Sequence, residues 1–145
     1  MLDKITIREW MHSPVLTISP DTLISTAQMT MKQNKVRRLA VVNEKDRLIG
    51  IVTIGDVREA SPSDATTLSI WELNYLWGQL TVKKIMTHDV ITIHADETIY
   101  DAAKLMLDHK ISGLPVTDDK GDLIGMITES DIFRMVVQLG VEATA

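Results

Sequence analysis

Two short stretches carry polar residue types at one fixed spacing, and they are copies of each other. Leu48-Ile49-Gly50-Ile51-Val52-Thr53-Ile54-Gly55-Asp56 returns, at an offset of 75 residues, as Leu123-Ile124-Gly125-Met126-Ile127-Thr128-Glu129-Ser130-Asp131. In both, an apolar run suited to a buried strand meets a hydroxyl and, three residues on, a carboxylate. A Thr at a strand end and an Asp in the next helical turn present two polar side chains at one rim. Carboxylate oxygens accept from a sugar diol, and a hydroxyl donates to a phosphate or a ribose oxygen. The same pair can cap the helix, and the two roles are compatible.

Other chemistry is hard to find. His12, His88, His94 and His109 lack i, i+4 or HExxH spacing, so neither a metal cluster nor a catalytic centre is expected. His12 and His88 fall near the two Thr/Asp rims in the repeat and could touch a ligand there. Asp118-Asp119-Lys120-Gly121-Asp122 has some likeness to a calcium loop but lacks the twelve-residue spacing and the closing Glu, and reads as a hairpin turn. With no cysteine there are no disulfides or thiolate metal sites. No nucleophile–base pair is visible, which disfavours a small hydrolase or transferase. A net charge of −5 argues against a nucleic-acid surface. No apolar run approaches the roughly 18 residues of a membrane span, and the start lacks a signal-peptide core. The expectation is a soluble, cytoplasmic protein with no membrane partner.

The elements that must position the Thr/Asp pairs repeat with them. Residues 6–11 suit a short helical turn, matched by Val82–Met86. Pro14–Ile18 and Asp89–Ile93 read as β-branched strands. Asp21 and Asp96 stand as candidate N-caps of the next helices. Leu23, Ile24, Ala27 and Met31, and in the second copy Ile99, Ala102, Ala103 and Met106, put apolar groups on one helical face. Strands at Leu39–Val42 and Leu48–Thr53, and at Leu114–Thr117 and Leu123–Thr128, follow with polar hairpin connections. A last helix begins near Asp56 or Asp131; the second is longer, carrying Ile132, Phe133, Met135, Val136 and Leu139 to a stop at Gly140. The pattern is α/β (α+β), two pseudo-symmetric β-α-β-β-α repeats, each too small to be stable alone. The boundaries are 7–60 for the first repeat, 61–81 for a helical linker, 82–140 for the second repeat and 141–145 for a tail. Within the linker Ser61-Pro62-Ser63-Asp64 is a loop. Leu68, Ile70, Trp71, Leu73, Tyr75, Leu76, Trp77 and Leu80 then form an apolar helix for core, dimer or partner contact.

Two copies of Gly-h-h-Thr-x-x-Asp (h, an apolar residue), with Leu114-Pro115-Val116 in its usual place, resemble the tandem cystathionine-β-synthase (CBS) domain pair, or Bateman module. Ala40 replaces the proline in the first copy. The resemblance covers nearly the whole chain. It implies two repeats packed through their sheets, a homodimer, and a non-catalytic sensor that passes its signal to an unknown effector protein in trans. No cofactor is required; the regulatory ligand would be an adenine nucleotide (AMP, ADP or ATP), S-adenosylmethionine or sometimes NAD, bound in clefts between the repeats. An interaction and dimerisation module with vestigial clefts is the alternative.

Carried onto this chain, the resemblance gives one cleft Thr53 and Asp56 for ribose, with Ile51 beside adenine and Ile91 and Ile111 as the far wall. The other would use Thr128 and Asp131 with Met126, against Leu16 and Val36. The copies differ before the second strand, where Arg37-Arg38 stands opposite Ser112-Gly113. Guanidinium groups hold phosphate in a forked geometry, so Arg37 or Arg38 would bind phosphate in the Thr53/Asp56 cleft; they could also be a solvated charge pair at a helix end. With only the Ser112 hydroxyl and backbone there, the Thr128/Asp131 cleft would favour a neutral or cationic adenosyl group, or stay empty.

Overall fold

The computed structural model describes residues 1–61 and 69–144. Pro62, Ser63 and Asp64 of the expected loop, and Leu68 of the apolar helix, lie outside the described residues. The chain divides into two compact units that do not follow the sequence repeats: Leu16–Val90 forms one, and Met1–Val15 joins the chain from Ile91 onward in the other.

In the continuous unit, β1 (Thr17–Ile18) is followed by α2 (Ile24–Asn34), β2 (Arg38–Val42), β3 (Leu48–Thr53), α3 (Ile54–Ala60) and α4 (Ile70–Gln79). The short helix that precedes them, α1 (Ile7–Trp10), belongs to the other unit. The sheet order is β1-β2-β3, parallel then antiparallel, with Arg38 opposite Thr53 and Ala40 opposite Ile51. Ile24, Ala27 and Met31 bury one face of α2 against Leu39, Val41, Val52 and Val57, and Val82 and Met86 complete this core.

The discontinuous unit contains α1, then β4 (Ile93–His94), α5 (Ile99–His109), β5 (Gly113–Thr117), β6 (Leu123–Thr128) and α6 (Glu129–Thr144). Its sheet order, β4-β5-β6, has the same parallel and antiparallel senses. Ile99, Ala102 and Met106 of α5 pack with Leu114, Val116, Ile127 and Met135, and Ile7 from the chain start is fully buried among them. The mixed α/β reading and the strand pairs therefore hold. In both hairpins an Asx turn shapes the connection: Asn43 Oδ1 accepts from the Lys45 and Arg47 N–H groups, and Asp118 Oδ1 from those of Lys120 and Asp122. That settles the acidic loop as a turn.

Several local expectations need correction. Pro14–Ile18 shrinks to a two-residue strand at Thr17–Ile18, and Asp89–Ile93 gives way to one at Ile93–His94; these are the residues in register with β2 and β5. Asp21 does not cap α2: its N-cap is Leu23, with no side-chain bond, and the Ile24 N–H finds the Leu80 carbonyl at 3.0 Å. Asp96 does not cap α5; Thr98 does, in a capping box with Asp101, while Asp96 is held by Arg8 at 3.2 Å. Gly140 does not stop α6, which runs to Thr144; a glycine inside a helix weakens it by about 1 kcal/mol without breaking it.

Candidate functional site

Each Thr/Asp pair sits where the third strand of its sheet turns into a helix. Thr53 ends β3 and caps α3: its Oγ1 accepts from the Asp56 N–H at 3.1 Å, and Asp56 Oδ2 accepts from the Thr53 N–H at 2.8 Å. Thr128 and Asp131 repeat the box at the start of α6, with the Thr128 N–H donating to Asp131 Oδ2 at 2.9 Å. The capping role is therefore real in both copies. It is not distinctive, since Thr98 and Asp101 make the same box at α5.

What sets Asp131 apart is its other partners. Its side chain is 4 % exposed, yet it holds two cationic residue types. His12 Nδ1 lies 3.0 Å from Oδ2, and Arg134 Nη1 donates to Oδ1 at 2.7 Å. The Thr128 hydroxyl adds a bond to Oδ2 at 3.1 Å. Burial pushes this carboxyl up, but hydrogen bonds from His12, the Thr128 backbone and Arg134, with the charge on His12, outweigh it and hold the group below its ordinary 3.8.

His12 reaches Asp131 because the chain start pairs with β6: His12 and Met126 exchange two backbone bonds of 3.0 Å. The repeat's glycine permits this approach. A Cβ on Gly125 would meet Met11 Sδ at 2.6 Å and the His12 carbonyl at 3.2 Å. In the other unit Thr87 takes the equivalent place, bridging Ile51 with bonds of 2.8 and 3.1 Å over Gly50. At the 75-residue offset, Thr87 corresponds to His12 and Glu59 to Arg134. Asp56 thus accepts only the Thr53 N–H among the described residues.

The sequence-predicted residues sort by unit. Leu16, Val36, Arg37, Arg38 and Ile51 share a unit with Thr53 and Asp56, while Ile91, Ile111, Ser112 and Met126 share one with Thr128 and Asp131. Arg38 lies across the sheet from Thr53, and the Arg37 carbonyl accepts the first helical N–H, from Ile54, at 2.8 Å; Ser112 does the same for Glu129 at 3.0 Å. The strand-start position therefore adjoins each Thr/Asp pair. The expectation of a neutral or cationic ligand, or none, at the Thr128/Asp131 rim rested on that position alone. Arg134, three residues after Asp131 on one helix, was within reach of an i, i+3 reading; the repeat placed His12 near a rim, but its bond to Asp131, 119 residues away, comes only from the fold.

Folding also gathers His94, Asp96 and Asp119, whose ligand-type atoms lie within 4.8 Å of one another. His94 Nδ1 accepts the Asp96 N–H at 3.0 Å, leaving Nε2–H to bond Asp119 at 2.6 Å, and Arg8 holds Asp96. These bonds account for the cluster without an ion.

The CBS domain family model matches residues 7–63 and 82–138, so both Thr/Asp pairs fall inside matched segments. The chain belongs to the CBS-domain family. A CBS domain-containing protein of Dictyostelium discoideum is 32% identical over 136 residues, 94% of each chain. A homoserine O-acetyltransferase of Methanococcoides burtonii is 37% identical over 135 residues, but the CBS pair spans only 25% of that enzyme. Among solved structures, the CBS domain pair of protein MJ0100, in complex with 5′-methylthioadenosine and S-adenosyl-L-methionine, superposes with a TM-score of 0.76 at 27% identity, covering 92% of this chain and 96% of that one. CBSX2 in complex with AMP gives 0.77 at 25%, covering 94% and 98%. No helix among the described residues is long and apolar enough to cross a membrane.

Proposed function

We propose that this CBS pair is a non-catalytic regulatory sensor for adenosine-containing ligands (AMP, ADP, ATP or S-adenosylmethionine), signalling to a separate effector protein by conformational change. The observation that carries the reading is the twice-built Thr/Asp rim in a family whose neighbouring structures hold AMP, 5′-methylthioadenosine and S-adenosylmethionine. Thr53 with Asp56 and Thr128 with Asp131 would engage ribose. Arg37 or Arg38 would take phosphate beside the first pair, with Ser112 at the matching place beside the second. Leu16, Val36, Ile51, Ile91, Ile111 and Met126 would supply apolar contact for adenine. The working form is a homodimer in the cytoplasm. By linkage, the ligand shifts a conformational equilibrium only as far as its affinity differs between the two states.

Calorimetric titration with AMP, ATP, S-adenosylmethionine and NAD tests the reading, and an absence of heat with all four removes it. A constitutive interaction module is the second reading. It draws on the outward apolar side chains of α6, where Phe133, Val136, Val137 and Val141 are all exposed. A melting temperature unmoved by nucleotides would favour it.

A further inference from the structure

Asp131 already spends its acceptor positions on donors from its own chain, and the identity of those donors sets what can compete for them. A carboxylate offers about four lone-pair sites. The Thr128 N–H, the Thr128 hydroxyl and His12 Nδ1 converge on Oδ2, and Arg134 holds Oδ1. The bond from the Thr128 N–H belongs to the start of α6 and cannot be surrendered without fraying the helix. Oδ1 keeps one acceptor position beside Arg134, but Oδ2 is fully taken, so a sugar diol engages Asp131 through both of its hydroxyls only as His12 or Arg134 moves off.

Both are open to solvent on their outer side. The His12 and Arg134 side chains are 49% and 64% exposed, whereas the acid between them is buried. A donor leaving the Asp131 carboxylate loses a charge-assisted bond. A neutral nucleoside gives it nothing in return, but a nucleoside with an anion on its 5′ side offers a replacement within reach of the same side chains. The first copy has no such requirement at these positions, where Thr87 and Glu59 stand.

We propose that His12 and Arg134 are the specificity-determining pair of the Thr128/Asp131 rim, transferring from Asp131 to the phosphate of a nucleoside 5′-phosphate as its ribose takes Asp131. The proposal rests on the adenosyl-binding reading above and replaces the expectation of a neutral or cationic ligand at this rim.

The test uses the full chain carrying Asp56→Asn, which keeps an acceptor for the Thr53 N–H while weakening the first rim for a diol. AMP and adenosine are titrated by calorimetry into this parent, then into its Arg134→Gln and His12→Gln derivatives, with thermal melts checking that each folds. The parent should prefer AMP by about tenfold or more, the scale of one charge-assisted bond. Each derivative should lose about tenfold in AMP affinity while adenosine binds unchanged or tighter, because Asp131 is partly released. A purely structural role would not tighten adenosine. Equal losses for both ligands, an unchanged AMP affinity, or no preference in the parent overturns the proposal. So does binding of AMP by the wild-type chain but not by the parent, with the function left standing. A wild-type chain that binds neither ligand, nor S-adenosylmethionine, overturns the function and this proposal together.

Discussion

Truncating the two repeat aspartates to alanine should not be symmetric, although the sequence writes them as equivalents. Asp56→Ala removes one acceptor, for the Thr53 N–H at 2.8 Å, and loss of such a capping bond costs about 1 kcal/mol. Asp131→Ala removes the same bond together with the Thr128 hydroxyl, Arg134 and His12 contacts. The His12 and Arg134 side chains are 49% and 64% exposed, so water re-solvates them and each of these two lost contacts is discounted to roughly 0.5–1 kcal/mol. The total is about 2–3 kcal/mol. For a chain of 145 residues, 1 kcal/mol moves the melting midpoint by about 3 °C. Asp131→Ala should therefore melt about 6–9 °C below wild type, and Asp56→Ala about 3 °C below. Circular-dichroism melts read alongside urea titrations measure both. A double-mutant cycle between Asp131→Ala and Arg134→Ala should return a coupling of about 0.5–1 kcal/mol. Equal destabilisation by the two alanines, or no coupling in the cycle, would refute the claim that these residues act as one bonded group.

Three further outcomes are expected. Gly125→Ala forces a methyl towards Met11 Sδ at 2.6 Å and the His12 carbonyl at 3.2 Å, so it should cost about 1–3 kcal/mol in urea unfolding, while Gly140→Ala, with nothing within 4 Å, should stabilise α6 by up to about 1 kcal/mol. Lys110 follows α5 in the left-handed region at φ 55°, and Lys110→Gly should raise stability by a few tenths to about 1 kcal/mol in thermal melts, since glycine adopts that conformation without a Cβ penalty. Because the folded Asp131 carboxyl lies below its ordinary 3.8, its contribution is present above about pH 4 and lost as pH falls through the folded value. The stability gap between wild type and Asp131→Asn should narrow across that acid window; a gap independent of pH would contradict the assignment.

The sequence carried the β2-β3 and β5-β6 hairpins and the buried faces of α2 and α5, because period and turn chemistry are local properties. It carried the Thr/Asp pairs for the same reason: three residues separate each hydroxyl from its acid. Local reading failed where a distant segment supplies the partner. Asp21 looks like a cap, but the first N–H of α2 is satisfied by Leu80. Asp96 looks like a cap, but Arg8 draws it aside. The difference between the two rims was sought at Arg37-Arg38, the visible asymmetry in the aligned repeats. It also lies at His12 and Arg134, where the first copy has Thr87 and Glu59; His12 bonds Asp131 only because the chain start crosses to pair with β6.

That crossing governs how the gene may be cut. Residues 16–90 form an uninterrupted length of polypeptide with a core drawn from within itself. The other body is split around it, and Ile7 is a fully buried part of its interior. A fragment beginning at residue 82, the natural choice from the family boundaries, would leave Gly125 bare and Asp131 without its imidazole. Excision of the middle, with the flanks rejoined by a linker, keeps together the segments that fill each interior.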